Sequence, residues 1–257
     1  MRQMPDNCID LTVTSPPYDN LRTYNGFSFD FESVAKELYR ITKDGGVVVW
    51  VVGDATINGS ETGTSFRQAL FFKDVCGFNL HDTMIYDKGS TGGAKGSIYA
   101  YWQGFEYMFV FSKGKPSTIN FINDKPNKYC SSKPKVAGRR KINGQTESRT
   151  LNGVGPMGRR TNVWHISAGY MVSSPDKIAF QHPATFPEQL AKDHIISWSN
   201  PRDLVFDPLS GSGTTAKMAL LLGRNYCGVD ISEEYCEIAR KRIEQAQSQQ
   251  TLFAEGR

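Results

Sequence analysis

The sequence predicts an α/β protein in which helices cover both faces of a mostly parallel sheet. Two observations lead to this fold class. Short apolar runs rich in β-branched residues alternate along the chain with segments whose apolar residues recur at helical spacing. The run 47–52 is apolar at every position, which is typical of a central parallel strand buried on both faces.

The N-terminal half of the chain is predicted to form the following elements. Residues 9–14 form a β-rich run that stops at two prolines, which indicates a buried strand ending in a loop. A helix over 31–41 has apolar residues at helical spacing and ends before a Gly-Gly pair. After strand 47–52 we expect a helix over 66–76 and strands over 80–86 and 106–111.

The C-terminal third continues the alternation of strands and helices. Strands are expected over 204–206 and 226–229, and helices over 187–198, 214–222 and 233–245. Pro187 suits a first helical turn, Gly223 a helix end, and Ser232 an N-cap. The polar tail after residue 247 is expected to fray.

Length and composition exclude several classes of protein. With 257 residues, the chain can form one sizeable domain, or a domain carrying an insertion. Its longest apolar run is far shorter than the ~20 residues of a membrane span, and its N-terminus lacks the apolar core of a secretion signal. Five cysteines without a C-x-x-C pair argue against a disulfide framework or a structural zinc site. We therefore expect a cytoplasmic protein without a metal site.

Positive charge is concentrated in one segment. Residues 113–177 contain 13 Lys or Arg and three acids, whereas the rest of the chain has 17 basic and 23 acidic residues. This segment has little periodicity, so we expect loops and short strands inserted into a single domain over 1–257. It is either a solvated surface loop or a lobe that binds a polyanion such as a nucleic acid. In the second case the candidate contacts are Lys133, Lys135, Arg139, Arg140, Lys141, Arg159 and Arg160.

The densest motif lies within 205–215, where a strand ends, a Gly-x-Gly turn follows and a helix begins. Gly211 and Gly213 let the backbone approach a ligand, and the helix start favours an anionic group. Asp230 stands at the end of the next strand, where a carboxylate can bind both hydroxyls of a ribose. Three interpretations remain: a tight turn with a solvated Asp, a dinucleotide site, or a site for S-adenosylmethionine. No motif for hydride chemistry accompanies the turn.

A second motif, Ser15 to Tyr18, reads Ser-Pro-Pro-Tyr and follows the first strand. Its prolines offer carbonyl acceptors and no N–H donors, so the loop presents acceptors on a stiff backbone beside an aromatic ring. Such a loop suits the amino group of a planar base. The Ser15 hydroxyl and the Pro16 carbonyl would accept its two N–H groups and direct the nitrogen lone pair toward a methyl donor. By itself the motif also fits an ordinary strand-terminating turn or a ligand of a small binding module.

Taken in order, these motifs resemble the amino-group DNA methyltransferases of the β class. In that class the Ser-Pro-Pro-Tyr loop precedes the cofactor motif, and a target-recognition region lies between them. The segment 182–187, His-Pro-Ala-Thr-Phe-Pro, is similar to the family's other cofactor motif. Stretches 105–113 and 163–166 also match sequences common in the family. The resemblance covers nearly the whole chain except the basic segment.

The resemblance implies a Rossmann-like S-adenosylmethionine-dependent methyltransferase fold and a target base flipped out of DNA. The implied catalytic residues are Ser15, Pro16, Pro17 and Tyr18, with Tyr18 stacked on the base. The residues implied for S-adenosylmethionine are Thr185, Phe186, Asp207, Pro208, Gly211, Gly213, Thr214, Thr215 and Asp230. His182 is expected to be structural. Tyr24 and Trp102 are candidate further contacts to the base, with a place in the core as the favoured interpretation of both.

The resemblance favours cytosine N4 as the methylated atom, because the loop begins with Ser rather than Asp. Adenine N6 is the alternative, and a catalytically idle nucleic-acid binder that retains the cofactor pocket is a further one. A nucleotide-dependent oxidoreductase and a methyltransferase acting on RNA also remain open. The expected partner is double-stranded DNA and not a membrane. A homodimer and a cognate restriction endonuclease are both compatible with the sequence.

Overall fold

The computed structural model describes residues 1–17, 19, 29–89, 101–133, 135–151 and 153–255. The predicted residues Tyr18 and Tyr24 lie outside these ranges. The chain divides into two compact units. The first consists of Met1–Asn120 and Asn162–Arg257, and the second of Phe121–Thr161.

Within the described ranges the strands are β1 (Ile9–Thr14), β2 (Thr42–Val52), β3 (Thr56–Ile57), β4 (Ser60–Glu61), β5 (Asn79–Asp87), β6 (Phe105–Ser112), β7 (Lys125–Pro126), β8 (Lys135–Arg140), β9 (Thr146–Leu151), β10 (Met157–Gly158), β11 (Val163–His165), β12 (Leu204–Asp207) and β13 (Asn225–Gly228). The α-helices are α1 (Phe31–Ile41), α2 (Thr64–Leu70), α3 (Glu188–Trp198), α4 (Thr214–Leu221) and α5 (Glu233–Glu255). A π-helical turn over Phe71–Val75 extends α2, and a 3₁₀ turn spans Lys177–Gln181.

A seven-stranded sheet in the order β11-β5-β6-β2-β1-β12-β13 forms the centre of the first unit. Strand β6 runs antiparallel to its neighbours β2 and β5, and the other adjacent pairs are parallel. The mostly parallel sheet predicted from the sequence is therefore confirmed. Strand β2 begins five residues before the predicted 47–52, and all six predicted residues are buried.

Helices lie on both faces of this sheet, as predicted. On one face, Leu38 of α1 and Phe72 of the π-helical turn form a core with Trp50 and Phe111 of the sheet. On the other face, the Thr215 hydroxyl at the start of α4 donates to the backbone carbonyl of Val13, 3.1 Å away. The carboxyl ends of the parallel strands β1, β2, β12 and β13 lie at one edge of the sheet, where ligands bind in sheets of this kind.

The last helix corrects one expectation. A frayed tail was expected after residue 247, but α5 continues to Glu255. Residues 246–255 include no Gly or Pro that would end a helix. Ala246 is buried, so the helix is still packed against the domain beyond the predicted end at residue 245.

The basic segment 113–177 is divided between the two units. Its central part, Phe121–Thr161, forms the second unit and contains β7–β10, which pair as β7 with β10 and β8 with β9. The short strands and loops expected there are observed. Its ends belong to the first unit, where β11 pairs in parallel with β5. Lys113 is also in the first unit, and its ammonium donates to the carbonyls of Tyr39 and Thr42 at 3.1 and 3.0 Å.

Candidate active site

Two loops named from the sequence emerge side by side at the carboxyl edge of the sheet. Strands β1 and β12 are parallel neighbours, with Thr12 opposite Phe206, so the loops that follow them leave the same edge. The Thr14 hydroxyl donates a 2.7 Å hydrogen bond to the buried carboxylate of Asp207. This bond and the one from Thr215 to Val13 join the end of β1, which leads into the Ser-Pro-Pro loop, to the two elements that flank the glycine turn.

The Ser-Pro-Pro loop is held at both ends. Pro16 is buried, while Ser15 and Pro17 are half-buried. At the far end, Asp19 has a left-handed backbone with φ +55°. Its carboxylate accepts hydrogen bonds from the backbone N–H of Ala55 at 2.8 Å and from the hydroxyls of Thr62 and Thr64, both at 2.5 Å.

These contacts make Asp19 a charged anchor. Burial opposes ionisation of Asp19, but the hydrogen bonds from Thr62, Thr64 and Ala55 outweigh it and lower the pKa of the carboxyl. Asp54, just after β2, extends the anchor by accepting bonds from the backbone N–H and the hydroxyl of Ser65. Sequence reasoning missed both carboxylates. Asp54 could have been found, because it stands just after the fully buried run 47–52, at the same edge of the sheet.

The glycine turn needs its glycines for packing as well as for backbone freedom. Gly213 has φ +76°, and a Cβ there would lie 2.6 Å from the Cβ of Ala239 on α5. Gly211 has φ +49°, and a Cβ there would lie 2.9 Å from the His182 ring. A side chain at either position would push α5 or His182 away from the turn. The sequence alone suggested only that a ligand approaches the backbone.

Asp207 lies at the base of the turn. Its Oδ1 accepts the Thr14 hydroxyl and also the backbone N–H of Leu209, at 3.1 Å. Burial raises the pKa of the Asp207 carboxyl to about 6, while the bonds from Thr14 and Leu209 act in the opposite direction. A group of this kind is partly protonated in mildly acidic solution.

Asp230 joins the turn to the end of β13. One carboxylate oxygen accepts the backbone N–H of Gly211 at 2.8 Å, and the other accepts the N–H of Ser232 at 2.9 Å. Each carboxylate oxygen has two acceptor sites, so Asp230 retains capacity for a ligand's hydroxyl groups. The structure thus brings the predicted acid and the predicted glycine turn into direct contact.

The segment 182–187 reaches the same turn through its histidine. The His182 ring packs on Tyr235 of α5 with ring centroids 4.4 Å apart, and its Nδ1 accepts the backbone N–H of Ala184. This agrees with a structural histidine. Thr185 and Phe186 are half-buried, and the Thr185 hydroxyl donates to the carbonyl of Ala179 at 3.3 Å.

A buried charge cluster supports the glycine turn from behind. It is centred on Arg242 of α5, whose side chain is fully buried. Its Nη1 donates to the carbonyl of Ser212 at 2.6 Å and to the hydroxyl of Thr214 at 3.1 Å. Its Nε and Nη2 donate to Asp176 at 3.0 Å and to Glu188 at 2.7 Å.

Lys217 of α4 completes the cluster, with its ammonium 2.7 Å from Asp176 and 2.8 Å from Glu188. Burial opposes ionisation of Asp176, but hydrogen bonds from Lys217 and Arg242 outweigh it and lower the pKa of its carboxyl. The sequence carried no signal for this cluster, because its members are spread from residue 176 to residue 242. Their pairing depends on helix packing.

The predicted DNA contacts all fall in the second unit. Lys133, Arg139, Arg140 and Lys141 are exposed; the side chain of Lys135 is outside the described set. Arg159 is exposed and lies over the ring of Phe121, 3.3 Å from its centroid. Arg160 is half-buried, and its Nε contacts both carboxylate oxygens of Asp124. Arg160 therefore also has a structural role.

Other sequence expectations have clear outcomes. Trp102 is 72% exposed, so the expectation that it is a core residue is wrong. Among the described residues, no three His, Cys, Asp or Glu side chains are grouped as metal ligands would be. Within the same residues, no helix has both the length and the apolar composition needed to cross a membrane.

Residues 9–241 match the model of the DNA methylase family N6_N4_Mtase. The orphan methyltransferase M.BamHII of Bacillus amyloliquefaciens is 60% identical over 240 residues, which are 93% of this chain and 89% of the relative.

Two solved structures share the fold. The PvuII DNA methyltransferase, described as cytosine-N4-specific, aligns with a TM-score of 0.67 and 19% identity, covering 96% of this chain and 86% of its own. A protein of Thermus thermophilus named as a DNA modification methylase, solved with S-adenosyl-L-methionine, aligns with a TM-score of 0.62 and 22% identity, covering 95% and 89%. The predicted methyltransferase fold and enzyme class are confirmed: the chain belongs to the N6_N4_Mtase DNA methylase family.

Proposed function

We propose that this DNA methyltransferase transfers a methyl group to the exocyclic amino group of a flipped base, with cytosine N4 favoured over adenine N6. Its methyl donor is S-adenosylmethionine, as the sequence predicts. One observation carries the proposal. The Thr14–Asp207 hydrogen bond holds together the two strand ends from which the loop proposed to hold the base and the turn proposed to hold the donor emerge.

The residues proposed for the donor have the chemistry that it requires. Asp230 keeps acceptor capacity for ribose hydroxyls, and Gly211 and Gly213 bring backbone rather than side chains to the turn. Pro208, Thr214 and Thr215 complete this set. Thr185 and Phe186 would approach the donor because His182, in the same segment, lies against Gly211 of the turn. When bound, S-adenosylmethionine supplies a methyl group that is activated by the positive charge on its sulfur.

The chain's own residues hold and orient the base. The Ser15 hydroxyl and the Pro16 carbonyl would accept the two amino N–H groups, and Tyr18 would stack on the ring. Hydrogen bonds to these N–H groups localise the nitrogen lone pair and align it with the methyl group. The contribution to catalysis is therefore orientation and polarisation, without a covalent intermediate. The anchor at Asp19 keeps the end of this loop in place.

The preference for cytosine N4 over adenine N6 rests on Ser15 as the first residue of the Ser-Pro-Pro-Tyr loop. The likeness to a protein named as cytosine-N4-specific is at the level of fold and does not decide the base. M.BamHII is named as an orphan methyltransferase. For this chain, a cognate restriction endonuclease and a homodimer are both proposals. The first is tested by assaying restriction activity in the host, and the second by measuring the molecular mass of the protein in solution.

The experiment combines labelled S-adenosylmethionine with unmethylated genomic DNA, followed by nuclease digestion and mass spectrometry of the nucleosides. N4-methylcytosine is expected. Detection of N6-methyladenine instead would refute the base assignment alone. If the protein binds the donor but yields no methylated nucleoside, methyl transfer is refuted and the chain is a catalytically idle nucleic-acid binder. The same assay with RNA should yield no product.

The division of labour is tested with Tyr18→Ala. Loss of base stacking should cost about 1–3 kcal/mol in kcat/KM for DNA. Affinity for S-adenosylmethionine, measured by calorimetry, should stay within about twofold of wild type. A collapse of donor binding in this variant would contradict the assignment of Tyr18 to the base.

A further inference from the structure

The second unit contains a β-ribbon whose described side chains are exposed or half-buried. Strands β8 and β9 pair antiparallel from Lys135 opposite Leu151 to Arg140 opposite Thr146. Val136 is 73% exposed, and of the described side chains in this ribbon only Ala137 is half-buried. A two-stranded hairpin without a covered face is marginally stable on its own, so a partner surface would stabilise it.

The tip of this ribbon is an ordered tight turn. The backbone N–H of Gly144 donates to the carbonyl of Lys141 at 2.9 Å, and the N–H of Lys141 donates to the carbonyl of Gln145 at 2.7 Å. Gly144 has φ +81°, as this class of three-residue turn requires. Ile142 is fully exposed at the tip, and the Asn143 side chain is held against Gln145 at 3.2 Å.

The charge of the ribbon identifies the chemical class of the partner. Residues 135–151 contain five Lys or Arg and one acid. That acid, Glu147, lies opposite Arg139 and 3.3 Å from Lys141, so it partly compensates both charges. Arg140 lies on the other face of the ribbon, opposite the neutral Thr146. Basic side chains thus stand on both faces next to an apolar tip.

We propose that the β8–β9 ribbon enters the major groove of DNA tip first. Arg139 and Arg140 then reach the phosphates on the two walls, while Ile142 and Asn143 meet the base edges. Two strands about 4.8 Å apart, with side chains on both faces, fit a groove about 12 Å wide and not one about 6 Å wide. This inference rests on the proposed function, because it assigns the DNA contact of the basic segment to one element.

The test measures binding of a fluorescent, unmethylated genomic DNA fragment by anisotropy, which does not depend on turnover. Arg140→Ala should weaken binding about tenfold and reduce the slope of log K against log salt by about one phosphate contact. Ile142→Ser should raise KM for DNA in the methylation assay severalfold without changing that slope. Lys128→Ala, which removes an exposed charge from the same unit, is the matched control and should change neither value.

Each variant is also titrated with S-adenosylmethionine, whose affinity should stay within twofold of wild type. Wild-type DNA binding by both ribbon variants would overturn the proposal while leaving methyl transfer intact. A changed molecular mass with unchanged DNA affinity would identify the ribbon as a contact between subunits and also overturn it. Displacement of the protein by the minor-groove ligand netropsin, but not by the major-groove ligand methyl green, would refute the choice of groove.

Discussion

The buried carboxyl of Asp207 should make the stability of this protein depend on pH in a measurable way. Its pKa is raised from 3.8 to about 6 by burial. Between these values the folded chain holds a proton that the unfolded chain has lost. The contribution of Asp207 to the free energy of unfolding therefore decreases as pH rises through this window, and it is constant at higher pH.

The substitution Asp207→Asn removes this titration and keeps a carbonyl oxygen for the hydrogen bonds from Thr14 and Leu209. A difference of about two pH units corresponds to about 3 kcal/mol. We therefore expect the variant to gain about 3 kcal/mol relative to wild type between about pH 3.5 and pH 8, with about half of the gain between pH 5 and pH 8. Other titrating groups cancel in the comparison.

The assay is urea unfolding of wild type and variant at pH 5, 6, 7 and 8, with the difference in unfolding free energy plotted against pH. Asp74→Asn, which removes an exposed carboxylate, is measured in parallel as the control. A difference for Asp207→Asn that is flat, or that falls as pH rises, would show that Asp207 is not buried in an environment that disfavours its charge.

Two further predictions concern packing behind the glycine turn. Gly213→Ala places a methyl group 2.6 Å from Ala239 at a left-handed backbone position, whereas Gly223→Ala meets no atom within 4 Å at a similar φ. The first should therefore cost about 1–3 kcal/mol more unfolding free energy than the second, and equal losses would show that backbone strain alone is involved. Arg242→Met leaves two half-buried carboxylates with Lys217 as their remaining charged partner and should cost about 1–3 kcal/mol in urea unfolding. Arg240→Met on the exposed side of the same helix should change stability by less than about 0.5 kcal/mol, and a comparable loss there would contradict the role given to the buried cluster.

Local pattern was sufficient to predict most elements of the first unit. Strand 9–14 and helix 31–41 have the predicted bounds, because the periodicity lies within each segment and two prolines follow the strand closely. The Gly-Gly pair expected to end the helix lies within β2 instead, so that part of the prediction is wrong. The end of α5 was predicted too early, since a polar sequence was taken as frayed although it contains no helix breaker.

Part of the candidate site could also be predicted. The glycine turn and Asp230 are close in sequence, and a strand and a short helix connect them, so their contact follows from the βαβ unit itself. The order of the motifs indicated an enzyme class before any contact was known. The proximity of the Ser-Pro-Pro loop to Asp207 required a pairing between β1 and β12, which stand at opposite ends of the chain and which no local signal brings together.

By itself, the sequence determined the alternation of strands and helices, the glycine turn and the order of the two motifs, since each depends on residues that are neighbours along the chain. The tertiary structure alone decided that Asp207 is buried with a raised pKa, that Gly213 must leave room for Ala239, and that Arg242 supports the turn. These properties arise from desolvation and close packing between distant segments, and both quantities exist only once the chain has folded.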